Sequence, residues 1–140
     1  MALNPNVLGT WQVDLSKTTG LEDFARVMGF PPERTERYRK LDYAVTVSQS
    51  GDAYKIDVDF KGAVPNSSYT LKVGETIDYK SIEGYTAKLT LTVENGKSVE
   101  TYVYTEKNIS WKVTRSVEGN VMTAVTEVGD ATLTQVLNRV

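Results

Sequence analysis

Two polar side chains fall where apolar ones belong. From Ile109 to Val117 the odd positions are Ile109, Trp111, Val113, Arg115 and Val117, and the even ones are Ser110, Lys112, Thr114 and Ser116. Successive side chains of a strand project to opposite faces, so Arg115 goes with the apolar set. From Ala131 to Arg139 the same alternation puts Gln135 with Ala131, Leu133 and Leu137. An unpaired charge is costly to bury, so Arg115 needs an anionic or hydrated partner. Guanidinium N–H groups fit a carboxylate, and the amide of Gln135 is a neutral second donor. The chemistry this spacing offers is the capture of an acid group inside a largely apolar space.

The alternation supplies no obvious internal anion. Asp14, Asp57, Asp59, Asp78, Glu94, Glu100 and Glu127 all read onto the outer face, and Glu83, at a strand end, is the one ambiguous carboxylate. Two readings stay open for Arg115: a partner to a ligand's acid group, or a structural residue bridged by water.

Composition narrows the classes of function. The 140 residues suffice for one domain with a real core, taken here as 1–140. A net charge of −2 implies no bulk attraction to nucleic acid. With no cysteine and no histidine, a thiolate nucleophile is excluded, and the commonest general base and commonest metal ligand are missing. No cofactor, no metal and no catalytic activity are expected. Met1–Trp11 lacks the basic and apolar regions of a signal peptide, and no apolar run is long enough to span a membrane. The expectation is a cytoplasmic monomer. The triplets beginning at Asn66 and Asn108 match the glycosylation sequon, a pattern common by chance.

The elements that must position Arg115 and Gln135 are nearly all strands. Val7–Lys17 alternates, with Trp11, Val13 and Leu15 on one face, and Trp11 reads as core at the base of the fold. Leu21, Phe24, Ala25 and Met28 then recur at helical spacing, Gly29 stops that helix, and Pro31-Pro32 starts a second, polar helix to about Lys40. From Tyr43 onward, short strands follow one another through tight turns, among them Ser50-Gly51-Asp52, Asn95-Gly96 and Gly129-Asp130. This spacing predicts an all-β fold: a ten-stranded antiparallel up-and-down β-barrel capped by a helix–turn–helix at about residues 21–40.

A ten-stranded barrel is wider than side chains fill easily, so its interior should hold a ligand-sized cavity, two packed sheets without one being the alternative. Trp111, Val113 and Arg115 would line it from one strand, Met122 and Ala124 from the next, and Leu133, Gln135 and Leu137 from the last. Ile56, Val58 and Phe60, with Phe60 as a possible gate, would complete the wall together with Leu89 and Thr101, and Ala25 and Met28 of the first helix would roof it. The basic run Arg34, Arg37, Arg39 and Lys40 on the second helix suits either a solvated face or transient contact with anionic membrane.

Leu8-Gly9-Thr10-Trp11, Ser16-Lys17, Val27-Met28-Gly29, Phe60-Lys61, Tyr69–Gly74, Asn95-Gly96-Lys97 and Gly129–Leu133 together resemble the intracellular lipid-binding proteins, the family of fatty-acid, retinoid and bile-acid carriers. The resemblance covers essentially the whole chain. It implies a capped ten-stranded barrel that carries a fatty acid or another small hydrophobic acid through the cytosol. In heart-type carriers two arginines and a tyrosine hold the carboxylate; the first arginine falls on Arg115, but the second falls on Gln135 and the tyrosine on Leu137. Gln135-Val136-Leu137 is more similar to the retinol carriers, whereas Thr132-Leu133, Asn138–Val140 and Phe30-Pro31 lean toward the liver and bile-acid branch. Gly62–Pro65 resembles an insertion near the family's portal. An enzyme and a secreted lipocalin, whose fold also opens with Gly-x-Trp, are the other classes.

Overall fold

The computed structural model describes residues 2–140, and its strands follow from alternation and turn chemistry. The elements are β1 (Gly9–Thr19), α1 (Leu21–Met28), α2 (Pro32–Arg39), β2 (Ala44–Ser50), β3 (Ala53–Asp59), β4 (Ser67–Lys72), β5 (Thr76–Lys80), β6 (Thr86–Glu94), β7 (Lys97–Tyr104), β8 (Ser110–Glu118), β9 (Val121–Val128) and β10 (Ala131–Arg139). All ten strands form one antiparallel sheet in the order β4-β3-β2-β1-β10-β9-β8-β7-β6-β5. Every sequential pair of strands adjoins except β4 and β5, and β10 returns to β1, with Val13 opposite Leu137. The sheet curls into a nearly closed barrel. Its open seam between β4 and β5 is spanned by the Gly74 N–H donating to the Leu91 carbonyl at 2.7 Å, and by Tyr69 meeting Tyr79 edge-on at 5.1 Å.

The base is sealed by the first residues of the chain. Leu3 and Val7 are buried against Trp11, whose indole N–H donates to the Val7 carbonyl at 3.0 Å. Arg139 lies over the Trp11 ring at 4.2 Å and donates to the carbonyls of Leu8 and Asn6, so its charge is satisfied without an acid.

The opposite end carries the helices. The spacing that predicts α1 is the face it buries: Leu21, Phe24, Ala25 and Met28 turn inward, and Arg26 reaches Asp130 in the β9–β10 turn at 3.3 Å. Gly20 makes this docking possible. It has φ +84°, and a Cβ there would lie 1.9 Å from the carbonyl oxygen of Thr132. Pro31 and Pro32 open α2, and Phe30 stacks on Tyr38 at 4.7 Å to hold the two helices together. No helix among the described residues is long and apolar enough to cross a membrane.

Candidate functional site

Strand register decides what faces the interior, because directly opposite residues share a face. Arg115 is paired with Ser98 on one side and Ala124 on the other, and Ala124 is in turn paired with Gln135. Small neighbours leave room for the long side chains, so Arg115 and Gln135 both line one cavity of about 210 Å³ beneath the helices. Val58, Phe60, Trp111, Val113, Ala124, Leu133 and Met28 line it too.

The same register corrects the expectation for Glu100. The two-residue turn Asn95-Gly96, with both φ values positive, pairs Glu94 with Lys97 and carries the ladder on to Leu91 opposite Glu100. Leu91 faces inward, so Glu100 does as well; its side chain is 8% exposed. Its Oε2 accepts from Arg115 Nε at 3.0 Å, and its Oε1 accepts from the Tyr102 hydroxyl at 2.7 Å. The internal anion that alternation alone does not supply is thus present. Thr101, read as lining, sits opposite Thr90 and Lys112 and is exposed on the outer face.

The remaining expected residues separate by position. Ile56 and Met122 border a smaller space of about 20 Å³ toward the base, on which Glu100 and Arg115 also abut. That space holds roughly one water, so the ion pair forms a floor between it and the main cavity. Leu89 and Leu137 are wholly buried in the core rather than at the cavity surface, and Ala25 packs on the buried face of α1, where a groove between the helices borders it.

Sequence reasoning passes over most of the aromatic wall. Tyr43, Tyr102 and Tyr104 line the cavity beside Tyr69 and Tyr79, and Phe24, Phe30 and Tyr38 line it from the helical side. Trp111 stacks on Tyr102 at 5.0 Å and meets Tyr104 edge-on at 4.7 Å. Tyr43 donates to the Gln135 side-chain oxygen at 3.2 Å.

Electrostatics keep this wall neutral. Burial first, and then the negative charge of Glu100, push the Tyr79 hydroxyl up to about 12 and raise Tyr102 well above the ordinary phenol range. Burial likewise raises Tyr43, against the opposing pull of Arg115. For Arg115 burial is the largest single influence and acts to lower the pKa, but Glu100 first and then the surrounding tyrosines together act against it and the net shift is upward. The site therefore holds one fixed ion pair among uncharged phenols and an amide. Such groups can donate and accept hydrogen bonds to a polar head.

A second acid links the helices to the barrel rim. Glu83, in the β5–β6 loop, takes the Tyr38 hydroxyl at 2.6 Å and Arg34 Nη1 at 2.8 Å, so it joins α2 to the barrel rim and stands apart from Arg115. Arg39 is likewise engaged, by Glu22 and Glu36. Of the basic run, Arg37 and Lys40 are left on the exposed face.

The model of the lipocalin / cytosolic fatty-acid binding protein family matches residues 7–140 of this chain. The chain belongs to that family. It is similar to a liver fatty acid-binding protein of Schroederichthys bivius, 27% identical over 125 residues that cover 89% of this chain and 91% of that one. Its barrel is similar to that of a Schistosoma mansoni fatty acid binding protein in complex with arachidonic acid, with a TM-score of 0.87, 22% identity and 97% of each chain covered. It is equally similar in fold to secretory abundant heat soluble protein 4 of Ramazzottius varieornatus, with a TM-score of 0.88, 17% identity, and 100% and 99% of the two chains covered. The fold alone is thus shared by proteins with different names, and the cargo has to be argued from the site.

Proposed function

We propose that this chain is a carrier that holds one long-chain lipid inside its barrel and moves it through the cytosol without converting it. The observation that carries this reading is the capped cavity of about 210 Å³, walled largely by aromatic and aliphatic side chains, with Arg115 and Gln135 at its floor. An acyl tail supplies most of the affinity there, at about 0.8 kcal/mol for each buried methylene, while the Arg115–Glu100 floor with Gln135 fixes the head. Single-tailed long-chain lipids suit such a shape, and the names of the relatives support a lipid cargo. The absence of a free nucleophile or base at the floor supports a carrier over an enzyme. Titration of the purified chain with oleoyl lipids should displace a neutral hydrophobic dye and saturate at about one lipid per chain. Failure of every single-tailed lipid to displace the dye would overturn the reading.

Loading and unloading pass the helical end, where Arg37 and Lys40 can meet an anionic bilayer. Transfer of a fluorescent lipid to anionic vesicles should accelerate with vesicle concentration. Changing both residues to glutamine should slow that transfer roughly thirtyfold, since each surface cation contributes about 1 kcal/mol at such a membrane. Rates that ignore vesicle concentration and charge would leave diffusion through water as the route.

A further inference from the structure

We propose that the head-group site selects an uncharged hydroxyl head, as on a long-chain alcohol or a monoacylglycerol, over an ionised carboxylate. This rests on the carrier reading above and narrows its cargo. Among the described residues lining the main cavity, Arg115 is the one cation. Its Nε is already committed to Glu100 Oε2 at 3.0 Å, and the other oxygen of Glu100 is held by Tyr102 at 2.7 Å. The floor therefore carries no net charge. The rest of the polar lining consists of tyrosines held in the neutral form, Gln135, Ser81 and Thr126.

An anion entering this cavity gives up its hydration and gains no uncompensated positive charge in return. As it approaches the guanidinium it also meets the field of a carboxylate bonded to that same group. A hydroxyl gives up far less on leaving water and needs one donor and one acceptor. On the cavity wall Arg115 offers the donor and Gln135 the acceptor. Arg115 keeps Nη N–H groups whose one protein contact is a long approach of Nη1 to the Met122 sulfur at 3.8 Å, and the Gln135 side-chain oxygen, which takes the Tyr43 hydroxyl, has a second lone pair to accept with. The arginine that resembles an acid-capturing residue in sequence is, by this geometry, half of a neutral hydrogen-bonding platform.

The test compares oleate with oleyl alcohol, each partitioned from neutral phosphatidylcholine vesicles at about pH 8, where the free acid is ionised. Partition from vesicles cancels most of the difference in tail hydrophobicity. The wild-type chain should extract the alcohol in preference to the acid. Glu100→Gln, which keeps the side chain's shape and removes its charge, should shift the acid-to-alcohol ratio toward the acid by on the order of tenfold, the scale of a hydrogen bond to a charged group. The double variant Glu100→Gln with Arg115→Gln should return the ratio toward the alcohol. Preferential extraction of oleate by the wild-type chain would overturn the proposal with no variant needed, as would a ratio unmoved by Glu100→Gln. Extraction of neither lipid would overturn the carrier reading itself, an outcome distinct from tight binding of oleate.

Discussion

Replacing Arg115 by methionine should destabilise the unliganded chain by about 3–5 kcal/mol in urea unfolding at neutral pH. The variant leaves the Glu100 carboxylate with a side chain 8% exposed and only the Tyr102 hydroxyl to answer it. If Arg115 stood alone and awaited a ligand, removing it would relieve an unpaired buried charge, and the unliganded chain would gain stability. The two accounts differ in sign. A double variant with Glu100→Gln and Arg115→Met should recover most of the loss, because neutral side chains of similar volume often replace a buried pair at little cost. The single changes should therefore be strongly non-additive, as expected for groups in one hydrogen-bonded cluster.

Gly20→Ala should lower stability by at least about 2 kcal/mol and speed the release of bound lipid. The left-handed backbone alone costs a residue with a Cβ about 1–2 kcal/mol. The new Cβ would also lie 1.9 Å from the Thr132 carbonyl oxygen, and both atoms belong to, or are fixed by, main chain, so neither swings aside. The strain is relieved by α1 backing away from β10, which carries Phe24 and Met28 off the cavity they help to line. Gly29→Ala is the control. That residue has φ +77° with open space around its missing Cβ, so it should show the conformational cost without the clash. Equal losses and unchanged lipid release in both variants would mean that the contact with Thr132 does not position the cap.

Much of this architecture is legible in the residues. The spacing of Leu21, Phe24, Ala25 and Met28 sets the boundaries and the buried face of α1, since helix periodicity and a stopping glycine are both local signals. Alternation and turn residues give the ten strands, and Arg115 and Gln135 lie on the interior face as their neighbours indicate. Strand β7 is where alternation fails. Val99 and Val103 occupy one face and Tyr102 and Tyr104 the other, so apolarity cannot choose between them, and Glu100 and Thr101 come out reversed. The deciding signal was present nonetheless, in the Asn95-Gly96 turn that fixes Glu100 opposite Leu91. Glu83 has no comparable signal. It lies in a loop, where no period assigns a face, and its partners Arg34 and Tyr38 are distant in sequence. For the same reason the basic run on α2 reads as more freely charged than it is, since Arg34 and Arg39 are taken up by acids that only the folded chain brings near.

The central claim is that a lipid tail lies inside the barrel against the aromatic wall, and the two tryptophans test it most directly. Trp111 lines the cavity, whereas Trp11 is fully buried at the base beneath Arg139. Titration with an eighteen-carbon lipid brominated in mid-chain, a contact quencher, should quench the wild-type emission and level off at about one lipid per chain. In Trp111→Phe, where only Trp11 emits, the same titration should leave the emission nearly unchanged. Quenching that persists in Trp111→Phe, or that keeps rising past one lipid per chain, would place the lipid outside the cavity and contradict the account.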